Sequence, residues 1–261
     1  MNHKITYIYP ILIVLVIIGI VVYLHQSGKI DLYEIASEAG WYIGDEEGEQ
    51  QSANHTSDTI LQSFSLSDIP AYTDEAYYVV NDNIPYFSDD EIVEYTVTGY
   101  EEYAELDSLG RCGTTIAYVG RETMPKESRG DISSVKPSGW KNKQYDFVDG
   151  GWIYNRCHLI GWQLTAENAN ERNLITGTRY MNVDGMLPFE NMVADYVKET
   201  KNHVIYRVTP IFDGSNLVAD GVLMEAYSKE DNGYGVQYCV FCYNVQPGIT
   251  INYKTGDNWV K

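Results

Sequence analysis

The stretch GWIYNRCHLIGWQLTAENANERNLITGTRYMN, residues 151–182, decides the fold class and carries the candidate chemistry. Its first part, Trp152–His158, has the aromatic and β-branched residues of a strand. Because strand side chains alternate between two faces, Arg156 and His158 are expected on the same side. A guanidinium that can hold a phosphate would then lie beside an imidazole that can accept a proton. Taken alone, a histidine at a strand end is more often structural.

Amide side chains crowd the loop that follows this strand, at Asn168, Asn170, Asn173 and Asn182. Buried amides must be hydrogen-bonded, so several of them near one histidine indicate a polar site, although asparagine is also common in ordinary turns. Residues 183–200 then follow a 3.6-residue apolar period with Pro188 in the first turn, which predicts a helix near 187–199. Glu190 lies early in that helix.

Further strand patterns, together with the predicted helix, predict an α+β fold. They lie near 113–119, 152–158, 203–211, 217–227 and 236–245. We expect a mixed or mostly antiparallel central sheet built from these strands, with the helix packed across it. The strand, loop and helix from 152 to 199 would form the site.

These residues resemble the DNA/RNA non-specific endonuclease family, the ββα-metal nucleases, including membrane-anchored surface nucleases of Gram-positive bacteria. Residues 155–158 (NRCH) look like a variant of the family's Asp-Arg-Gly-His motif, whose histidine is catalytic. Asn173 and Asn182 match the spacing of its two active-site asparagines, and Glu190 matches its outer-shell carboxylate. The resemblance extends over about residues 100–256. Asn155 and Cys157 depart from the motif, where the family has Asp and Gly.

The resemblance implies a ββα-metal nuclease fold and a metal-dependent endonuclease that cuts DNA, and RNA as well, leaving 5′-phosphates. His158 would be the general base and Asn182 the ligand of Mg²⁺, with Mn²⁺ as the alternative. Glu190 would hold metal-bound waters, and Asn173 would orient the site by hydrogen bonding. Arg156 would clamp the phosphate, because its planar fork matches two phosphate oxygens.

A locally basic segment at 111–156 lies within an acidic protein. It carries 8 basic and 5 acidic residues, whereas the whole chain has a formal charge of −19. Arg111, Arg121 and Arg129 are therefore candidate substrate-binding residues, and Tyr118, Trp140 and Tyr145 are candidates for stacking on bases. An ordinary solvated surface explains the same basic residues. The overall charge argues against a protein that coats nucleic acid by charge alone.

Residues 7–24 (YIYPILIVLVIIGIVVYL) form an uncharged run of 18 residues. At about 1.5 Å per residue the run spans roughly 27 Å, close to the thickness of a bilayer core. We therefore predict a transmembrane anchor within 1–25, an acidic, partly disordered stalk at 26–95 and a nuclease domain at 96–261 outside the cell. A cleaved signal peptide and a secreted enzyme are the alternative. No obligate protein partner is evident.

Four cysteines allow three disulfide pairings if all are oxidised. On a strand, Cys157 should face the core, away from His158. Either it is a free buried thiol, or it forms a disulfide with Cys112, which precedes the strand near 113–119. Cys239 and Cys242 stand too far apart along a strand to join each other.

Two other functions fit the same sequence. The first is a non-catalytic surface module that uses this fold to capture DNA. It would be recognised by loss of His158 or Asn182, both of which are present. A phosphodiesterase acting on a smaller substrate would suit the acidic balance, because a long polyanion is repelled by an acidic stalk. Screening over about 8 Å at physiological salt weakens that repulsion.

Overall fold

The computed structural model describes residues 64–261, which belong to one compact unit. The predicted anchor at 7–24 and most of the predicted stalk lie outside this range. Within residues 64–261, no helix has both the length and the apolar character needed to cross a bilayer.

The described residues form strands and helices in the following order. The strands are β1 (Tyr77–Val79), β2 (Glu101–Tyr103), β3 (Thr115–Val119), β4 (Tyr154–His158), β5 (Leu174–Thr178), β6 (Val204–Ile211), β7 (Gly221–Ser228), β8 (Gln237–Tyr243), β9 (Ile249–Ile251) and β10 (Asn258–Val260). The α-helices are α1 (Asp89–Tyr95), α2 (Trp162–Thr165) and α3 (Leu187–Thr200), and a π-helical turn covers Met181–Met186.

Six strands form the central sheet in the order β1-β8-β7-β6-β3-β2, and every neighbouring pair is antiparallel. One face packs against α3, whose Val193, Ala194 and Val197 are fully buried in the largest core cluster. Alternate residues of β6, such as Val204 and Tyr206, meet them, as the two-residue period of a strand requires. The predicted helix and the four long strand patterns outside 152–158 are confirmed.

The predicted strand at 152–158 does not join the central sheet. Its regular strand, β4, pairs with β5 and with no other strand within residues 64–261, from Tyr154 opposite Thr178 to His158 opposite Leu174. β5 falls in the segment predicted as an amide-rich loop, although its residues LITGT include two β-branched residues before the glycine. A local antiparallel partner thus satisfies the backbone of β4, and the two strands form a separate hairpin beside the sheet.

Residues 64–95 fold with the sheet, so the folded domain begins before the boundary expected at residue 96. β1 pairs with β8, and Phe64 is buried against Phe241. The guanidinium of Arg207 is completely buried and bonds to Glu225 at 2.7 and 3.0 Å. It also bonds to Glu91 of α1 at 2.7 Å. A buried charge needs such partners, which ties α1 to the middle of the sheet.

All four cysteines are free thiols, so the expected disulfide between Cys112 and Cys157 is wrong. The Cys112 thiol donates to the carbonyl oxygens of Glu171 and Leu174, while the Cys157 thiol lies against Asn182. The two sulfurs therefore point to different partners. Cys157 does face the core, as the strand pattern predicts.

Removing the charge of Glu91 should destabilise the domain, because Arg207 would lose a charged partner in a site closed to water. We expect Glu91→Gln to lower the free energy of unfolding by about 1.5–3 kcal/mol, the usual worth of a hydrogen bond to a charged group. Urea unfolding followed by circular dichroism measures this loss. Glu94→Gln, on the exposed side of α1, is the matched control, and an equal effect of both variants would contradict the assigned role.

Candidate active site

A cleft of about 750 Å³ opens between the β4–β5 hairpin, α2 and the start of α3. His158, Asn182 and Glu190 all line it, as do Asn155, Arg156 and Arg129. The remaining lining residues are aromatic, apolar or amide side chains and one further arginine, Arg179. The candidate general base, the candidate metal ligand and the candidate carboxylate predicted from the sequence therefore line the same cleft.

His158 is held by hydrogen bonds at both ring nitrogens. Its Nε2 lies 2.8 Å from the backbone oxygen of Asn168, and its Nδ1 lies 3.2 Å from Nη2 of Arg129. A carbonyl oxygen only accepts, so Nε2 must carry the proton. A guanidinium only donates, so Nδ1 must present its lone pair. The neutral tautomer with a basic Nδ1 is therefore the one that fits these contacts.

The surroundings keep His158 neutral. Burial, the largest cause, and the nearby charge of Arg129 together lower the pKa of His158 from 6.5 to about 4, against the opposing effect of the hydrogen bond to Asn168. At neutral pH the ring is therefore uncharged, and Nδ1 carries a lone pair that accepts the hydrogen bond from Arg129.

Asn182 lies in the π-helical turn that leads from β5 into α3. Such wide turns often place a side chain at a functional site. The Nδ2 of Asn182 lies 3.3 Å from Oδ1 of Asn155, and its Oδ1 lies 2.9 Å from Sγ of Cys157. Burial raises the pKa of the Cys157 thiol, so the thiol stays protonated and acts as the donor in this contact.

Glu190 is buried in the first turn of α3, with 9% of its surface exposed. Gly161 makes room for it, because a Cβ at this glycine would stand only 2.6 Å from a carboxylate oxygen of Glu190. Burial raises the pKa of Glu190 to about 7, although a hydrogen bond from Gln163 and the charge of Arg129 lower it in part. The carboxyl group is thus poised to ionise near neutral pH.

Asn173 does not line the cleft. Its side chain is completely buried and bonds the backbone of Ile160 twice, accepting from the nitrogen at 2.9 Å and donating to the oxygen at 3.0 Å. Its own backbone oxygen accepts from Leu159. Asn173 therefore fixes the chain just after His158.

The structure favours Arg129, not Arg156, as the arginine next to the histidine. Arg156 lines the cleft, but its guanidinium donates to the backbone oxygens of Val135 and Ser133 at 2.5 and 2.8 Å. It also lies 4.4 Å from the ring centre of Trp140. Arg156 thus holds the loop that borders the cleft. Within residues 64–261, the guanidinium of Arg129 forms a hydrogen bond to His158 alone.

The other two candidate arginines are not among the residues that line the cleft. Arg111 is tied to Asp107 at 2.7 Å and to the backbone oxygens of Gly214 and Asn216. Arg121 is exposed. The net basic composition of residues 111–156 predicted correctly that this segment contributes arginines to the cleft. It did not predict which of those arginines line it.

The aromatic candidates for base stacking already have partners. Tyr118 is buried and stacks on His203, Tyr145 bonds to Asn258, and the Trp140 ring faces Arg156. Trp152 lines the cleft and is 45% exposed, so its ring is available to a ligand. Arg179 is the charged lining residue that sequence reasoning missed, since nothing in the sequence links it to Asn155, which it contacts at 3.4 Å.

Comparison with known proteins identifies the family and the fold. The sequence model described as DNA/RNA non-specific endonuclease matches residues 91–230, more than half of the chain. A deoxyribonuclease of Streptococcus dysgalactiae subsp. equisimilis is 30% identical over 123 residues, which cover 44% of this chain and 35% of that protein. The match therefore spans about a third of that relative's length.

Two solved structures share the fold. NucA from Streptococcus agalactiae, crystallised with magnesium ion bound, is 23% identical with a TM-score of 0.65, covering 78% of this chain and 94% of NucA. The Sda1 nuclease, with bound zinc ion, is 24% identical with a TM-score of 0.60, covering 72% of this chain and 97% of Sda1. The predicted α+β, ββα-metal nuclease fold is confirmed.

The shifted pKa values of Glu190 and His158 should give the free energy of unfolding opposite dependences on pH. The raised pKa of Glu190 means that the folded protein keeps a proton which the unfolded chain releases, so stability falls as the pH rises from 4.5 through about 7. The lowered pKa of His158 means that stability falls as the pH drops from 6.5 through about 4.

Glu190→Gln should therefore stabilise the metal-free protein only at higher pH. In EDTA we expect a gain on the order of 3 kcal/mol above pH 7, at about 1.4 kcal/mol per pKa unit, and none near pH 4.5. Urea titrations at several pH values measure the difference between variant and wild type. A gain that does not change with pH would contradict the raised pKa.

Proposed function

Because this chain belongs to the DNA/RNA non-specific endonuclease family, we propose that it hydrolyses phosphodiester bonds of DNA, and of RNA, with His158 as general base and a divalent cation as cofactor. The observation that carries the proposal is the tautomer of His158, whose basic Nδ1 faces a cleft shared with Arg129, Asn182 and Glu190. A base, a cation for the phosphate and oxygen ligands for a metal are the groups that such a reaction needs.

His158 would take the proton of the attacking water at Nδ1. Its Nε2–H stays bonded to the Asn168 oxygen throughout, which stabilises the imidazolium that forms. Attack on phosphorus by this water, with departure of the 3′ oxygen, leaves the 5′-phosphate products that we propose.

Arg129 would bind the scissile phosphate. In the structure its guanidinium donates to Nδ1 of His158, the same lone pair that must accept the proton. A phosphate carries a full negative charge and attracts a guanidinium more strongly than a neutral imidazole does. Arrival of the substrate would thus draw Arg129 away from Nδ1, free the base, and reduce the positive charge that lowers its pKa.

The donor groups of the cleft suit Mg²⁺, with Mn²⁺ as the alternative. Mg²⁺ prefers oxygen ligands and keeps several waters, so one Asn182 oxygen, a substrate phosphate and water would hold it. When bound, the ion would supply positive charge that stabilises the phosphate and the departing oxygen. Glu190 would accept hydrogen bonds from the surrounding waters, a role that its ionised form serves best.

Lack of sequence preference would follow from contacts with phosphate and base faces. Arg129 can hold any phosphate, and the exposed face of Trp152 can stack on any base. No base-specific interaction is needed for either contact, so DNA and RNA would both fit.

The sequence also supports a location outside the cell. We propose that residues 7–24 anchor the chain in the membrane, with the nuclease domain on the outer side and release by signal cleavage as the alternative. The apolar run and the acidic stretch that follows it carry this part of the proposal.

A phosphodiesterase acting on a smaller substrate is the second candidate. The folded domain carries 29 acidic and 16 basic residues within 64–261, a balance that weakens long-range attraction of a polyanion. Cleavage of supercoiled plasmid by the full-length chain with Mg²⁺, and its loss in EDTA, distinguishes the two. A chain that cleaves a dinucleotide but leaves plasmid intact would favour the smaller substrate.

His158→Ala should remove the base and leave the fold intact. We expect plasmid nicking to fall by at least about 10²-fold, the usual worth of a positioned base. The rate is measured from the loss of supercoiled plasmid at saturating Mg²⁺, with circular dichroism to check folding. Nicking at the wild-type rate by folded variant protein would end the assignment.

Arg129→Ala should also lower the rate by about 10²-fold or more, because a phosphate clamp acts on the charge that develops during the reaction. It should further move the acid limb of the pH–rate profile upward, since a positive charge next to His158 is gone. Arg121→Ala, an exposed arginine outside the cleft, is the control and should keep both rate and profile. Equal losses from the two variants would indicate a general charge effect instead.

A further inference from the structure

The Asn182 amide is held at both ends by side chains of β4. Its Nδ2 donates to Oδ1 of Asn155 at 3.3 Å, and its Oδ1 accepts from the thiol of Cys157 at 2.9 Å. Asn155 and Cys157 stand two residues apart, so both project from the same face of the strand. They are also the two positions at which residues 155–158 depart from the Asp-Arg-Gly-His motif.

Arg179 and Asp149 determine which atom of Asn155 faces Asn182, and so which end of the Asn182 amide is the donor. Asp149 binds the Nε and Nη2 of Arg179 at 3.0 and 2.8 Å, which leaves Nη1 facing Asn155 at 3.4 Å. A guanidinium only donates, so the atom of Asn155 that faces it must be the oxygen. This same oxygen faces Asn182, which must therefore turn its NH₂ group towards Asn155.

The opposite end of the Asn182 amide is then its oxygen. A protonated thiol is a weak donor, so it suits this oxygen and leaves the second lone pair of the oxygen unused. A flipped amide would place its oxygen against the oxygen of Asn155 and lose that hydrogen bond.

We propose that Asn155 and Cys157 are positioning residues that hold Asn182 with its oxygen, and not its NH₂ group, presented as a metal ligand. This inference rests on the proposed metal-dependent function. It explains how the two departures from the motif fit together, because both residues bind the same amide. Arg179 and Asp149 extend the arrangement by fixing the orientation of Asn155.

Metal affinity is the direct test, because a merely structural role would not change it selectively. Mg²⁺ binding to the full-length chain in detergent is measured by titration calorimetry, without nucleic acid. Asn155→Ala should weaken binding by about 10-fold or more, the usual effect of losing a group that orients a metal ligand. Asn155→Asp keeps the acceptor and adds a negative charge, so it should bind Mg²⁺ at least as tightly as wild type.

Cys157 provides a second, independent pair of variants. Cys157→Ser keeps a donor and should stay close to wild type, whereas Cys157→Ala should weaken Mg²⁺ binding several-fold. Cys239→Ala removes a buried thiol from β8, outside the cleft, and controls for the general effect of such a loss. Plasmid nicking by the Asn155→Ala and Cys157→Ala proteins should recover at high Mg²⁺.

Unchanged Mg²⁺ affinity in both alanine variants would overturn the inference. If wild type cleaves plasmid and Asn182→Ala weakens its Mg²⁺ binding while Asn155→Ala does not, only the positioning role fails. If wild type neither binds Mg²⁺ nor cleaves plasmid, the proposed function fails and the inference falls with it.

Discussion

The hydrogen bond from Nε2 of His158 to the backbone oxygen of Asn168 is the constraint on which the site depends. It fixes the proton on one nitrogen of a buried ring and leaves the lone pair of the other facing the cleft. Asn168 also accepts from the backbone nitrogen of Gly130 through its side chain, at 3.2 Å. One residue therefore sets the tautomer of the histidine and anchors the loop that brings Arg129 to it.

Much of this structure could be predicted because the apolar periodicity of a strand or a helix is visible in consecutive residues. The two-residue period of the long strands and the 3.6-residue period of α3 gave elements close to those observed. The placement of His158, Asn182 and Glu190 in one cleft also followed from sequence, through the spacing that resembles the family motif. The family is thus readable from residues 155–190, whereas the fold class also needs the strand patterns on either side of them.

The features that sequence reasoning missed are long-range pairings. Arg156 has the right position on its strand for a phosphate clamp, yet the carbonyl groups of Ser133 and Val135 lie within its reach and bind it. The domain boundary was misplaced because Glu91, in an acidic stretch that reads as a stalk, meets the buried Arg207 more than a hundred residues away. The pattern of residues along the chain near a charged side chain does not predict which distant residue that side chain will bind.

Two titratable groups of the cleft, Glu190 and His158, have pKa values in the reverse of their usual order. An exposed carboxyl ionises well below the pKa of a histidine, whereas here burial places Glu190 at about 7 and His158 at about 4. Without ligands, the cleft therefore tends towards two neutral groups, which is the less costly state for buried residues. A divalent cation favours the ionised carboxylate, and a phosphate that engages Arg129 favours protonation of the histidine. The charges brought by cofactor and substrate would thus create the protonation states that the reaction uses.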